Sequence, residues 1–167
     1  MFQQIKPKDL TDNSFQLFYK DWTLIAAGNL DKYNMMTASW GGVGNLWNKR
    51  VVFIFIRPSR YTYEFTEASD VFSLNFFDEE YRSMLNLYGS KSGRDIDKMM
   101  QPGLTPREDH GSVYFEEARL VFVCKKIYYQ DLLPAHFLGG GIASHYTGQE
   151  DYHRMYIGEI LSVFKKS

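Results

Sequence analysis

Two arginines and two hydroxyl side chains stand close together in the segment IRPSRYT, which directly follows the apolar run VVFIFI. Arg57 and Arg60 are three residues apart, and Ser59 and Thr62 lie beside them. Guanidinium groups bind anionic oxygens through paired hydrogen bonds, and hydroxyl groups add short ones. If YTYEF begins a helix, its first amide groups point at the same anion. The segment therefore predicts a phosphate site, and a surface salt bridge is the alternative for either arginine taken alone.

Hydroxyl and aromatic residues are also concentrated in NMMTASWGG, residues 34–42, between the apolar runs WTLIAA and VVFIFI. Thr37, Ser39 and Trp40 are suited to a flat ligand with polar edges, and the alternative is a loop packed over an aromatic ring. A strand of about six residues spans roughly 20 Å. A ligand that also reaches the arginine segment therefore requires residues 34–40 to be extended rather than folded into a tight turn.

A third polar segment is GSKSGRDIDKMM, residues 89–100. On a short helix from Arg94, Lys98 follows at i+4 and lies on the same face, so both could reach one ligand. Asp95 and Asp97 alternate with these cations. The spacing therefore supports at least as well a solvent-exposed face on which the acidic and basic side chains neutralise each other.

The remaining reactive side chains are few. None of the histidines, at positions 110, 136, 145 and 153, has the spacing of a zinc ligand, and we predict no metal site. His153 precedes the last strand and points either to solvent or into a site. Cys124, inside LVFVCKK, is expected to be a buried small side chain rather than a nucleophile. No GxGxxG, GxxxxGK[ST] or GxSxG motif supports a Rossmann domain, a P-loop or a hydrolase.

Composition limits the class of protein. The chain has 167 residues and a formal net charge of −1, which predicts one domain over residues 1–167 and no overall field that would attract nucleic acid or an acidic membrane. A single cysteine agrees with a reducing interior. The first residues do not resemble a signal peptide, and the longest apolar run is far shorter than the roughly 20 residues of a membrane helix. We expect a cytoplasmic protein.

The apolar pattern predicts mostly strands, several of them covered on both faces. An antiparallel barrel or sandwich is favoured, because regular helices do not separate the strands. Helices are predicted for Asp78–Tyr88, with Asp78 as its cap, and for Arg94–Met100. The predicted strands are Phe15–Tyr19, Trp22–Ala27, Val51–Ile56, Val71–Phe77, Arg119–Tyr129 and Met155–Phe164.

Five blocks that run in order through most of the chain resemble the flavin reductase-like proteins, including flavoredoxins, which hold FMN on a split β-barrel. The resemblance implies a mainly β, Greek-key antiparallel split barrel with a few short helices. It also implies a homodimer with FMN near the subunit interface, and a redox protein as a partner to be considered. The blocks are NMMTASWGGVGNLW, RPSRYTYEF, GSKSGRDIDKM followed by GLT, EEARLVFVCKKIYYQDL and DYHRMYIGEI.

Site roles follow from the same resemblance. It places residues 34–40 along the isoalloxazine, residues 57–62 on the phosphate and ribityl chain, and Lys98 as a basic group that reaches toward the cofactor. His153 is the candidate catalytic residue on the nicotinamide side, although Tyr152 here separates the Asp and His of the family's Gly-Asp-His pattern. The expected FMN-binding residues are Asn34, Met36, Thr37, Ala38, Ser39, Trp40, Arg57, Ser59, Arg60, Tyr61, Thr62, Ser90, Ser92 and Lys98.

Three functions remain open from the sequence. The first is an NAD(P)H-dependent flavin or ferric-complex reductase, in which the hydride chemistry belongs to FMN and no acid–base pair is required. The second is a flavoredoxin-type electron carrier that keeps FMN and has no small-molecule turnover of its own. The third is an oligonucleotide-binding barrel, which the balanced charge disfavours because such barrels carry a basic groove.

Overall fold

The computed structural model describes residues 1–146 and 150–166; residues 147–149 and 167, which belong to the predicted domain range, lie outside this description. The helical segments are α1 (Ser14–Gln16), α2 (Tyr61–Ala68), α3 (Arg82–Ser90), a π turn at Leu17–Asp21, and 3-10 turns at Pro7–Asp9, Glu79–Tyr81, Pro134–His136 and Ile142–Tyr146. The strands are β1 (Phe2–Ile5), β2 (Thr23–Gly28), β3 (Tyr33–Ala38), β4 (Gly41–Leu46), β5 (Lys49–Ile56), β6 (Val71–Phe76), β7 (Pro106–Asp109), β8 (Ser112–Phe115), β9 (Leu120–Asp131) and β10 (Arg154–Lys166).

One large antiparallel sheet dominates the structure. Its strand order is β3-β2-β6-β9-β10-β5-β4, with β1 also paired to β10, and β7 and β8 form a separate hairpin. The two end strands of this order, β3 and β4, are joined by only Ser39 and Trp40, so the sheet must curl until its ends approach each other. The mainly β, antiparallel fold with few short helices confirms the prediction.

Burial on both faces explains the continuous apolar run of β9. Phe122 and Cys124 belong to the core cluster inside the curled sheet, whereas Val121 and Val123 belong to a second cluster. The second cluster is completed by residues of α3 and of the β7–β8 hairpin, such as Leu85 and Phe115. Cys124 is fully buried, as expected, and burial raises the pKa of its thiol.

Five of the predicted strands form close to their expected bounds, but the one at Phe15–Tyr19 was wrong. These residues form α1 and the start of the π turn, and the side-chain oxygen of Asn13 caps the first amide groups. Leu17 and Phe18 are buried, whereas Phe15 and Tyr19 are both exposed. A five-residue, mainly apolar run fits a strand and a helical turn equally well, and here packing selected the turn.

The two predicted helices differ in outcome. Asp78–Tyr88 begins as a 3-10 turn, without a side-chain cap from Asp78, and continues as α3 to Ser90. The helix predicted for Arg94–Met100 was wrong, because residues 93–100 form turns. The carboxylate of Asp97 accepts hydrogen bonds from the backbone N–H groups of Met99 and Met100, which is a local alternative to a helix.

Candidate functional site

A groove of about 200 Å³ opens beside the link between β3 and β4. We call it the β3–β4 groove. Eight of its lining residues were predicted from the sequence as site residues, and the ninth, Phe55, was not. Its lining residues are Met36, Thr37, Ala38, Ser39, Trp40, Phe55, Arg57, Arg60 and His153.

Strand pairing brings these distant residues together. Arg154 at the start of β10 lies opposite Ile56 at the end of β5. The residues just outside this pair, His153 and Arg57, therefore emerge side by side at one rim of the sheet. Among the strands of residues 1–146 and 150–166, β3 pairs only with β2, so its other edge is free of strand pairing. The extended backbone of residues 33–38 satisfies the requirement that this segment not be a tight turn.

Arg60 stands at the N-terminal boundary of α2 and reaches toward the C-terminal end of α3. Its guanidinium donates hydrogen bonds to the carbonyl oxygens of Gly89 (3.0 Å) and Tyr88 (3.4 Å). Burial, with the neighbouring charge of Arg57, lowers the pKa of Arg60. An arginine stays protonated in any case, so this half-buried cation faces the groove with a fixed positive charge.

Arg57 is held by the segment that precedes β10. Its guanidinium donates to the carbonyl oxygen of His145 at 2.7 Å and lies 5.1 Å from the centre of the Tyr146 ring. The ring of His145 in turn meets Trp40 edge-on at 5.4 Å. The 3-10 turn at Ile142–Tyr146 therefore closes one side of the groove.

His153 is buried beside the same groove, with 9% of its surface exposed. Its Nδ1 lies 2.8 Å from the phenolic oxygen of Tyr146, and its ring packs on Trp40 at 5.0 Å. Burial, together with the charge of Arg57, lowers the pKa of His153 from 6.5 to about 4, and Asp151 partly opposes this. The imidazole is therefore neutral at neutral pH.

Ser59 and Thr62 make their hydrogen bonds within the protein. The carboxylate of Asp151 accepts from the backbone N–H of Ser59 at 3.0 Å and from its hydroxyl group. Thr62 is buried against Asn34. With the Asn34 carboxamide turned so that its oxygen faces the donors, it accepts from the Thr62 backbone N–H (3.2 Å) and hydroxyl (2.8 Å). Asn34 of β3 thereby accepts hydrogen bonds from the first turn of α2.

Lys98 lies outside the β3–β4 groove. Its side chain is 4% exposed, and its ammonium donates to the carbonyl oxygens of Met35 (2.9 Å) and Tyr88 (3.0 Å). Burial, together with Arg60, lowers the pKa of Lys98 from 10.5 to about 8. The buried ammonium thus joins β3 to the end of α3. Arg94 points elsewhere, to the carbonyl of Ser59 and the carboxylate of Glu64.

Three further predicted residues lie around the groove rather than in it. The Ser90 hydroxyl donates back to carbonyl groups of α3, and the Ser92 hydroxyl accepts from the backbone N–H of Arg94. The Tyr61 ring lies under the guanidinium of Arg94 at 4.9 Å. The assignment of these residues to a cofactor remains a prediction.

A second cavity, of about 280 Å³, continues from the groove across Thr37 and Ser39. Trp22 lines it with a backbone φ of 64°, which is uncommon for a residue other than glycine. The guanidinium of Arg82 lies 4.3 Å from the centre of the Trp22 ring. The two spaces together fall in the roughly 300–1,000 Å³ range of ligand pockets.

A larger cavity of about 420 Å³ lies between the β2–β3 turn and α2, next to Lys32, Glu64 and Asp70. We assign the site to the smaller β3–β4 groove, because two arginines, a buried histidine and the β3 edge without a paired strand converge there. Within residues 1–146 and 150–166, no cluster of three or more His, Cys, Asp or Glu side chains is arranged to hold a metal ion. No helix in this part of the chain is long and apolar enough to cross a membrane.

Sequence patterns missed three residues that shape the site. Phe55 could have been found from strand alternation, because it follows Phe53 at the two-residue period that places both on one face. Tyr146 and Asp151 carry no such signal, since their contacts depend on how the loop before β10 packs. Trp47, the last residue of the block NMMTASWGGVGNLW, lies in the β4–β5 turn near Tyr128 and is 58% exposed.

Comparison with protein families identifies residues 16–166 as a flavin reductase like domain. The chain therefore belongs to the flavin reductase-like family, and it is a flavin-binding protein of that class. No curated protein matches the sequence. The fold confirms the predicted split barrel of this family.

Solved structures share the fold at low sequence identity. A flavoredoxin from Methanosarcina acetivorans aligns with a TM-score of 0.70 and 21% identity, over 99% of this chain and 76% of its own. An FMN-binding protein from Thermus thermophilus aligns with a TM-score of 0.69 and 16% identity, over 99% and 82%. An NADH:FAD oxidoreductase from Streptomyces globisporus aligns with a TM-score of 0.64 and 15% identity, over 87% and 74%.

Proposed function

We propose that this single-domain protein binds FMN in the β3–β4 groove and acts as an NAD(P)H-dependent flavin reductase. The observation that supports this most directly is the convergence of a free strand edge, two arginines and a neutral, buried histidine in one groove. Family membership supports the flavin, and similarity to an NADH:FAD oxidoreductase is in keeping with a nicotinamide donor.

The groove residues fit a flavin phosphate ester. Arg57 and Arg60 supply guanidinium charge for the phosphate, since charge-assisted hydrogen bonds to phosphate are the strong ones. The free edge of β3 offers backbone donors and acceptors to a flat, polar-edged ring, with the exposed Ser39 hydroxyl beside it. Trp40 and Phe55 supply apolar walls.

When FMN is bound, it supplies the hydride-accepting chemistry, and the protein supplies binding and orientation. Arg57 and Arg60 would hold the phosphate and thereby orient the ring relative to the β3 edge. The Ile142–Tyr146 turn narrows access of water to one side of the groove. His153, neutral and held by Tyr146, places a ring nitrogen near the groove on the side proposed for nicotinamide.

Anaerobic mixing with NADH and with NADPH tests this function. We expect loss of flavin absorbance with at least one of the two. A yellow protein that neither nucleotide bleaches would contradict the reductase proposal and favour the flavoredoxin-type carrier. That alternative gains support from exposed apolar residues, namely Trp40 of the groove and Leu138 and Ile142 of the segment before β10, at 43%, 97% and 36% exposure, which suit a protein partner.

A homodimer with the flavin near its interface is part of the proposal. Phe53 and Phe55 stand on one face of β5, directly opposite Ile157 and Met155 of β10. Phe53, Phe55 and Met155 are only partly buried, and Phe55 also lines the groove. A second copy seated on this apolar face would therefore lie next to the flavin.

A cytoplasmic location, in keeping with the single buried cysteine, stays a prediction.

A further inference from the structure

One carboxylate already occupies the position where the sequence predicts a phosphate. Asp151 accepts a hydrogen bond from the backbone N–H of Ser59 through Oδ1 (3.0 Å) and another from the Ser59 hydroxyl through Oδ2. Ser59 lies between Arg57 and Arg60, the two cations of the groove. Both donors of the residue at the centre of the arginine segment are therefore taken by an internal anion.

The charge of Asp151 also acts on the groove itself. Asp151 contacts Ser59, the residue before Arg60, and lies two positions before His153. Its negative charge partly opposes the lowering of the pKa of both Arg60 and His153. A phosphate is likewise an anion that only accepts hydrogen bonds. A phosphate and this carboxylate cannot accept the same two hydrogens, and in close proximity the two anions repel each other.

We propose that Asp151 determines flavin specificity by reducing the preference of the β3–β4 groove for phosphate-bearing flavins over riboflavin. This inference rests on the proposed function, because it concerns the same groove. Riboflavin ends in an uncharged hydroxyl group and leaves the contact between Asp151 and Ser59 intact. FMN has to displace the carboxylate from Ser59 or place its phosphate beside a like charge. The neutral flavin therefore gives up less binding free energy on entering the groove.

Flavin titrations of purified protein test the assignment. Asp151→Asn keeps the size of the side chain, removes its charge and replaces one of its two acceptor oxygens by a donor NH2 group. A hydrogen bond to a charged group is strong enough that gaining or losing one changes the affinity for a ligand by about ten-fold or more. We therefore expect Asp151→Asn to lower the Kd for FMN about ten-fold and to leave the Kd for riboflavin unchanged. Glu150→Gln is the matched control, because it changes the net charge equally at the adjacent exposed position.

The outcomes are separable. If Asp151→Asn weakens FMN binding, or leaves the ratio of the FMN and riboflavin Kd values unchanged, the inference is overturned. The flavin function stands in both cases. An equal gain in Glu150→Gln also overturns it, because general charge would then be the cause. Adding Ser59→Ala to Asp151→Asn should remove part of the gain, and a gain retained in full overturns the role of Ser59. If neither flavin binds any variant, the proposed function fails and the inference fails with it.

Discussion

The phenolic oxygen of Tyr146 lies 2.8 Å from Nδ1 of His153. The imidazole is neutral, because burial and Arg57 lower the pKa of His153 to about 4, and burial raises the pKa of Tyr146. The phenol and the neutral imidazole therefore share one hydrogen bond at Nδ1. This contact fixes the orientation of the ring that we propose to face the nicotinamide.

Replacing His153 should slow hydride transfer without releasing the flavin. We expect His153→Ala to lower the rate of flavin reduction by about two-fold to ten-fold, the range for loss of one hydrogen bond between neutral groups of roughly 0.5–1.5 kcal/mol in the transition state. Stopped-flow absorbance measures the rate. Tyr146→Phe keeps the ring and removes the hydroxyl, so it should slow the reaction in the same direction but less. Loss of bound flavin in His153→Ala would contradict this role.

The pH profile of the same reaction follows from the lowered pKa of His153. Because the folded-state pKa is about 4, this residue should contribute no inflection to the reduction rate between about pH 5 and 8. Stopped-flow rates over this interval, for wild type and for His153→Ala, measure the contribution as a difference. An inflection near the ordinary histidine pKa that disappears in the variant would show that His153 titrates normally.

Removal of the Arg60 side chain should weaken binding of FMN. A charge-assisted hydrogen bond is worth roughly 1.5–3 kcal/mol, so we expect Arg60→Ala to raise the Kd for FMN about ten-fold to a hundred-fold. Riboflavin, which has no phosphate, should be affected less, and titration of both flavins gives the comparison. Arg107→Ala is the control, because Arg107 pairs with Glu116 on the β7–β8 hairpin. An unchanged FMN titration would refute the phosphate assignment of Arg60.

Lys98 should make stability depend on pH on the alkaline side. Its folded-state pKa is about 8, against 10.5 in the unfolded chain. Between these values only the unfolded chain keeps the proton, so the free energy of unfolding rises with pH, by about 3 kcal/mol over the whole interval. Urea unfolding from pH 7 to 10 gives the free energy of unfolding of the wild type and of Lys98→Met. The difference between the two measures the contribution of Lys98. Cys124 and the tyrosines act in the opposite direction, but equally in both proteins. If the free energies of unfolding of the two proteins change with pH in parallel, the lowered pKa of Lys98 is contradicted.

Gly93 should not tolerate a side chain. A Cβ at this position would lie 2.2 Å from the Asn34 carboxamide and 2.8 Å from the Tyr61 ring. We expect Gly93→Ala to lower the free energy of unfolding by about 1–3 kcal/mol, the usual cost of overpacking. Urea denaturation measures the loss. Gly140→Ala is the control, because a Cβ there meets nothing within 4 Å. Equal stability of the two variants would show that the Asn34 contact yields freely.

Much of the fold could be predicted because its signals are local. Apolar runs in β2, β5, β6, β9 and β10 gave strand positions close to the observed ones, since an apolar run bounded by turn residues is a property of neighbouring residues. The five-residue run at 15–19 was wrong because it is too short to distinguish a strand from a helical turn. The segment 94–100 was wrong because its spacing did not reveal the competing Asp97 turn.

The sequence by itself predicted that residues 34–40 and 57–62 carry the chemistry of a flavin site, from the hydroxyl, aromatic and guanidinium side chains of these two segments and from the resemblance to the family. Only the tertiary structure decided which of these side chains meet. The register of β10 on β5 sets His153 beside Arg57, which lies 96 residues earlier in the sequence. Packing turned Lys98 inward and joined Asp151 to Ser59. Such contacts depend on strand register and loop packing, which local residue patterns do not specify.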